Sequence, residues 1–220
     1  MKTAVLGTGI VGRTIAGKLA QLGHDVTIGT RDVERTRAGD NEALAAWSTA
    51  HPTVGLAPFA DAAAAAELVV NATSGAASLP ALTAAGATNL AGKVIVDISN
   101  PLDFSAGFPP TLSVKDTDSL GEQIQRAFPE ARVVKALNTL TAALMVDPGA
   151  LGAQSHTVFV SGDDPAAKQT VVALLHEFGH TDVVDLGDIT TARGTEMYLP
   201  LWLRLMGALG TPMFNLKIVR

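Results

Sequence analysis

The chain has 220 residues, 47% of them hydrophobic and 17% charged, with a formal net charge of −5, a globular composition long enough to bury its own core. It contains no cysteine, which removes disulfide frameworks, thiolate metal sites and a cysteine nucleophile. Its mild acidity argues against a broad nucleic-acid surface, which needs clustered Lys and Arg.

"TAVL" opens the chain as a strand, and "GTGIVG" follows, with Gly7, Gly9 and Gly12 in G-x-G-x-x-G spacing. Glycines and the nearby Arg13 and Lys18 interrupt this apolar start, so it reads as a strand-turn-helix rather than a leader peptide. A helix is predicted over Ile10 to Leu22 and a second strand at "DVTIG". Strand, glycine turn, helix and strand in this order make the loop a dinucleotide site. The first glycine permits the turn, the second lets backbone approach a pyrophosphate, and the third lets helix and strand pack closely. Unpaired N–H groups near Ile10 and Val11 then face the phosphates. The second strand ends in Thr30 and Arg31, where an NAD site places a carboxylate for the ribose diol. A hydroxyl and a guanidinium suit a 2′-phosphate instead, with Arg35 one turn further on, so NADP is the expected cofactor. Asp32 reads as the start of the next helix, somewhere within Arg31 to Thr49.

"TVGLA" is a weak strand, Asp61 to Glu67 an alanine-rich helix, and "ELVVNA" and "KVIVDIS" are continuous apolar strands of the kind buried on both faces. "NPLDFSAGFPPTLSVKD" is the longest predicted loop, followed by a helix over Asp118 to Phe128 and strands at "RVVKAL" and "HTVFVSG". The strand ends "NATSG", "DISNP" and "KALNT" place Asn71, Thr73, Ser74, Asp97, Ser99, Asn100, Asn138 and Thr139 toward the nicotinamide half of a dinucleotide. No pattern there supplies a proton donor to a carbonyl. "HEFGH" matches H-E-x-x-H, the zinc-protease helix motif. Asp164 caps its helix, Pro165 opens it, and Val171, Leu174, Leu175 and Phe178 form a core-facing stripe. Gly179 then ends the helix before His180, so the motif reads as a helix terminus and no metal site is expected. "TDVVDL" is the next strand. The tail "YLPLWLRLMGALG" is an apolar helix too short to span a bilayer, to be buried against the sheet, a second subunit or the cofactor.

The alternation predicts an α/β fold, a Rossmann-type doubly wound, mostly parallel sheet with a C-terminal apolar helix. The expected protein is soluble and cytoplasmic, takes a small-molecule substrate, and binds neither nucleic acid nor membrane.

"GTGIVG", "LGHDVTIGTR", "KALNTL", "SGDDPAAK" and the tail ending in "FNLKIV" are similar to the NADPH-dependent coenzyme F420 reductases, the 8-hydroxy-5-deazaflavin:NADP oxidoreductases. They also resemble the related reductase domain of six-transmembrane metalloreductases. The resemblance covers nearly the whole chain. It implies one NADP-binding domain over residues 1–220, with residues 190–220 a helical extension and final strand over the pocket or a dimer interface. It further implies a homodimer with F420 as co-substrate. Carried over by position, Thr8, Gly9, Ile10 and Val11 hold the pyrophosphate, and Thr30, Arg31 and Arg35 hold the 2′-phosphate. Thr73, Ser74 and on to Ala77, with Ala136, Leu137 and Asn138, flank the nicotinamide. Two positions depart from the family: Asn138 replaces a histidine, and "NATSG" replaces a loop containing proline and tryptophan. Both face the second substrate, so reduction of a ferric chelate, flavin or another small acceptor stays open. So does a non-catalytic NADP(H) sensor.

Overall fold

The computed structural model describes residues 1–37, 42–152 and 156–220. Its elements run β1 (Lys2–Leu6), α1 (Ile10–Gln21), β2 (Asp25–Thr30), α2 (Val33–Arg37), α3 (Glu42–Ala50), β3 (Gly55–Pro58), α4 (Phe59–Ala65) and β4 (Leu68–Asn71). Then come α5 (Gly75–Ala85), α6 (Ala87–Leu90), β5 (Val94–Asp97), β6 (Leu102–Asp103), β7 (Thr111–Leu112), α7 (Leu120–Ala127), β8 (Arg132–Ala136) and α8 (Ala142–Val146). The chain closes with β9 (Thr157–Ser161), α9 (Pro165–Glu177), β10 (Asp182–Asp185), α10 (Ala192–Met197) and α11 (Leu199–Leu209). The helix expected within Arg31 to Thr49 is two helices, α2 and α3; residues 38–41 between them lie outside the described residues.

Among the described residues, one sheet of eight strands runs β10-β9-β8-β5-β4-β1-β2-β3. All neighbours are parallel except β8 and β9. The order reverses at β1, which pairs with β2 on one side and β4 on the other, so a crevice opens beyond their carboxyl ends. Alternation along the strands builds two cores. Val5, Val70 and Val134 face a layer with α1, α8 and α9; Ala4, Leu6, Val69 and Val133 face one with α4, α5 and α7.

Caps fix the helix starts. Asp164 accepts the Ala167 N–H at 2.8 Å, and Ser119 caps α7 by accepting the Glu122 N–H at 3.1 Å. α9 stops at Glu177, Gly179 turns with φ +100°, and the buried His180 ring meets the Met145 carbonyl at 2.9 Å. The helix-terminus reading of "HEFGH" therefore holds. The long loop after β5 carries a small antiparallel pair, β6 with β7, which the prolines had concealed.

The tail departs from expectation once. The predicted final strand is an irregular extended segment: Thr157 N–H donates to the Leu216 carbonyl at 2.9 Å, but no ladder forms. Lys217 and Arg220 pair with Asp182, whose carboxyl is brought down to about 2 by hydrogen bonds from Lys217 and the Thr157 hydroxyl. In α11, Leu199 is buried while Leu201 and Leu209 are exposed in the single chain. Among the described residues, no helix is long and apolar enough to cross a membrane.

Candidate functional site

The crevice is a cleft of about 900 Å³ at the carboxyl ends of β1, β2 and β4. Its floor is the glycine turn. Gly7 sits at φ +121°, and a Cβ there would stand 2.7 Å from the Ala72 carbonyl oxygen. A Cβ on Gly12 would stand 2.1 Å from the Gly7 carbonyl oxygen, so α1 reaches β1 and β4 this closely only without side chains. Around Gly9 nothing lies within 4 Å of a built Cβ, leaving open space for a ligand. The first helical hydrogen bond of α1 runs from Arg13 N–H to Gly9 O, and no side chain caps the helix. The N–H groups of Ile10, Val11 and Gly12 thus have no partner within α1 and form an anion-seeking end.

Of the residues singled out in the sequence, Gly7, Thr8, Gly9, Thr30, Arg31, Arg35, Thr73, Ser74 and Ala77 line this cleft together. Val11 packs on the core, and Ile10 is exposed at the helix start. Asp32 caps α2, accepting the Arg35 N–H at 2.9 Å, so its carboxylate is spent on the helix. The Thr30 hydroxyl is buried and meets the Thr36 hydroxyl at 2.9 Å. Sequence reasoning missed Thr36, although its position one turn after Asp32 was a signal. It also missed α5, which carries Ala77, Pro80 and Ala81 into the cleft wall opposite Phe59.

Ala136, Leu137 and Asn138 do not line the cleft; they are buried at the end of β8, beyond β5. Asn100 Nδ2 donates to the Asn138 carbonyl at 2.8 Å and Asn138 Nδ2 to Asn100 Oδ1 at 3.0 Å. Just before Asn138, Leu137 adopts φ +61°, a left-handed conformation that costs a branched side chain about 1–3 kcal/mol and gathers at functional sites.

The polar residues at these strand ends do not all face a ligand, which corrects the sequence reading. Asn71, Asp97 and Ser99 are buried and bond one another: Asn71 Nδ2 donates to Asp97 Oδ1 at 2.8 Å, and Ser99 Oγ to the same oxygen at 2.6 Å. Beneath them lies a cation that the sequence reading passed over. Lys135, 1% exposed, donates to Asp97 Oδ2 at 2.8 Å and stands 2.7 Å from Glu196 Oε1. Burial pushes its ammonium down, but the two carboxylates outweigh burial and hold it above the ordinary lysine range.

The family described as NADP oxidoreductase coenzyme F420-dependent matches residues 2–101. A crystal structure of a candidate F420-dependent NADP reductase from Arthrobacter sp. FB24 is 66% identical over 100% of both chains, with a TM-score of 0.98. The F420-dependent NADP reductase of Methanothermobacter marburgensis is 27% identical over 93% of this chain and 92% of its own. Metalloreductase STEAP3 of Rattus norvegicus is 30% identical over 91% of this chain, which spans 38% of that protein's length.

Replacing Gly12 by alanine tests the geometry without any ligand. The added methyl is expected to lower unfolding free energy by about 1–3 kcal/mol in urea, and a variant as stable as wild type would show that the turn has room. Taken with its cleft and its relatives, the chain belongs to the coenzyme F420-dependent NADP oxidoreductase family and is an NADP-dependent oxidoreductase.

Proposed function

We propose that the protein transfers hydride between C4 of NADP(H) and C5 of the deazaflavin F420, within a single domain whose helical tail covers the acceptor side. The observation that carries this reading is the grouping of the glycine turn with Thr30, Arg31 and Arg35 in one cleft. The N–H groups at the start of α1 and Thr8 would bind the pyrophosphate, and Arg31 and Arg35 the 2′-phosphate through charge-assisted bonds. Thr73, Ser74, Ala77 and, further along, Ala136 to Asn138 would border the nicotinamide. The cofactor supplies the hydride, and the chain supplies position and exclusion of water.

The likeness to the rat metalloreductase motivates a second reading, NADPH-driven reduction of a ferric chelate. The exposed apolar side of α11 bears on assembly. Trp202 stacks on Phe214 at 5.4 Å, while Leu201 and Leu209 of the same helix stay exposed. A second copy of the chain covering this face would complete a homodimer, as the resemblance implies.

Purified protein mixed with NADPH and F420 is expected to bleach the oxidised deazaflavin. Bleaching absent with F420 but turnover present with a ferric chelate would transfer the assignment to the second reading. Arg31→Asp is expected to weaken NADPH about ten- to a hundredfold with little change for NADH; equal losses would remove the phosphate assignment. Sedimentation velocity is expected to show a dimer that Leu201→Glu dissociates, whereas a monomeric wild type would discard the second copy.

A further inference from the structure

A hydrogen-bonded line runs from the cleft through the sheet to the tail. Thr73 borders the cleft, and its hydroxyl donates to Asn71 Oδ1 at 2.7 Å. Asn71 donates to Asp97, Asp97 accepts from Lys135, and Lys135 meets Glu196. Glu196 in turn accepts the N–H groups of Leu120 and Gly121, at 2.8 and 3.0 Å, at the start of α7. Asn71, Asp97, Lys135 and Glu196 are each no more than 1% exposed.

Stability is a poor reason to keep such an array. Buried ion pairs seldom outperform apolar residues of equal volume, because removing charges from water is costly. Here one cation serves two carboxylates, and the excess negative charge is balanced by the amide groups at the α7 terminus. Location gives a better reason. Asn71, Asp97 and Lys135 lie at or next to the carboxyl ends of β4, β5 and β8, the edge where an open parallel sheet meets its ligand. Glu196 lies on α10, which leads directly into α11.

We propose that Asp97, Lys135 and Glu196 are positioning residues: acting through Asn71, they fix Thr73 and the 72–74 loop against the nicotinamide and hold the helical tail in register with it. The proposal rests on the NADP-dependent hydride transfer argued above and deepens it. None of the three touches the reacting atoms; they govern how closely the rings meet, and an error of an ångström there is costly in rate.

Two variants of the purified chain test this. Glu196→Gln keeps the shape and withdraws one charge from Lys135; Thr73→Val keeps the shape and withdraws only the cleft end of the line. NADPH affinity, the fluorescence of the bound nicotinamide, turnover and the primary isotope effect with NADPH deuterated at C4 are measured for each. Glu196→Gln is expected to bind NADPH within about twofold of wild type, and both variants to alter the bound fluorescence, lower kcat about tenfold and raise the isotope effect. A lowered melting temperature with wild-type fluorescence and isotope effect would make the array purely structural and overturn the proposal. If Glu196→Gln fails to fold, Thr73→Val decides, because it leaves every buried charge paired. A wild type that binds NADPH but reduces no acceptor overturns the activity alone, and the fluorescence then decides this proposal. A wild type that binds no NADPH overturns both.

Discussion

The ammonium of Lys135 between the carboxylates of Asp97 and Glu196 is the interaction on which the two parts of the molecule depend. An ion taken from water without partners costs several kcal/mol, so none of the three groups is tolerable until the others arrive. Asp97 comes from β5, Lys135 from β8 and Glu196 from α10, well apart in sequence. Their meeting obliges the sheet and the tail to order together. The bidentate contact of Arg193 with Glu122, at 2.6 and 2.8 Å, fastens α10 to α7 beside it.

The glycine turn imposes the other constraint, and it acts through absence of side chains rather than through attraction. At Gly7 and Gly12, backbone passes backbone at distances no methyl group can share. The result is an uncapped helix terminus at the edge where the strand order reverses, with Arg31 and Arg35 on the far bank of the cleft. Electrostatics and shape therefore agree on an anionic dinucleotide. The strained Leu137 and the reciprocal amide pair of Asn100 and Asn138 stand farther along the same edge, outside the main cleft.

Much of this was legible. Continuous apolar runs and bounding glycines located the main strands, and the loop spacing announced the nucleotide end, because both are local rules. α5 escaped because its alanines, threonine and Pro80 form no apolar stripe; it is held by packing on α4 and α7, which no local pattern reports. Lys135 was visible but unread: a lysine within the apolar run "RVVKAL" has to find buried partners, and those lie far away in the chain. For the same reason the small polar residues after β4 and β5 looked like ligand contacts, when Asn71, Asp97 and Ser99 serve one another. The tail's apolar character was plain, but its covering surface is not supplied by the described residues.

The antiparallel junction of the eight-stranded sheet, between β8 and β9, has an effect on how the chain is divided. Because β9 runs backward, Thr157 stands at the ligand edge of the sheet, and the segment around Leu216 comes to rest there too. On the proposed reading, the electron donor is handled by the opening stretch and the electron acceptor by the closing one. On that same reading, substitutions in the closing stretch would change which acceptor is reduced while leaving the nucleotide site as it is.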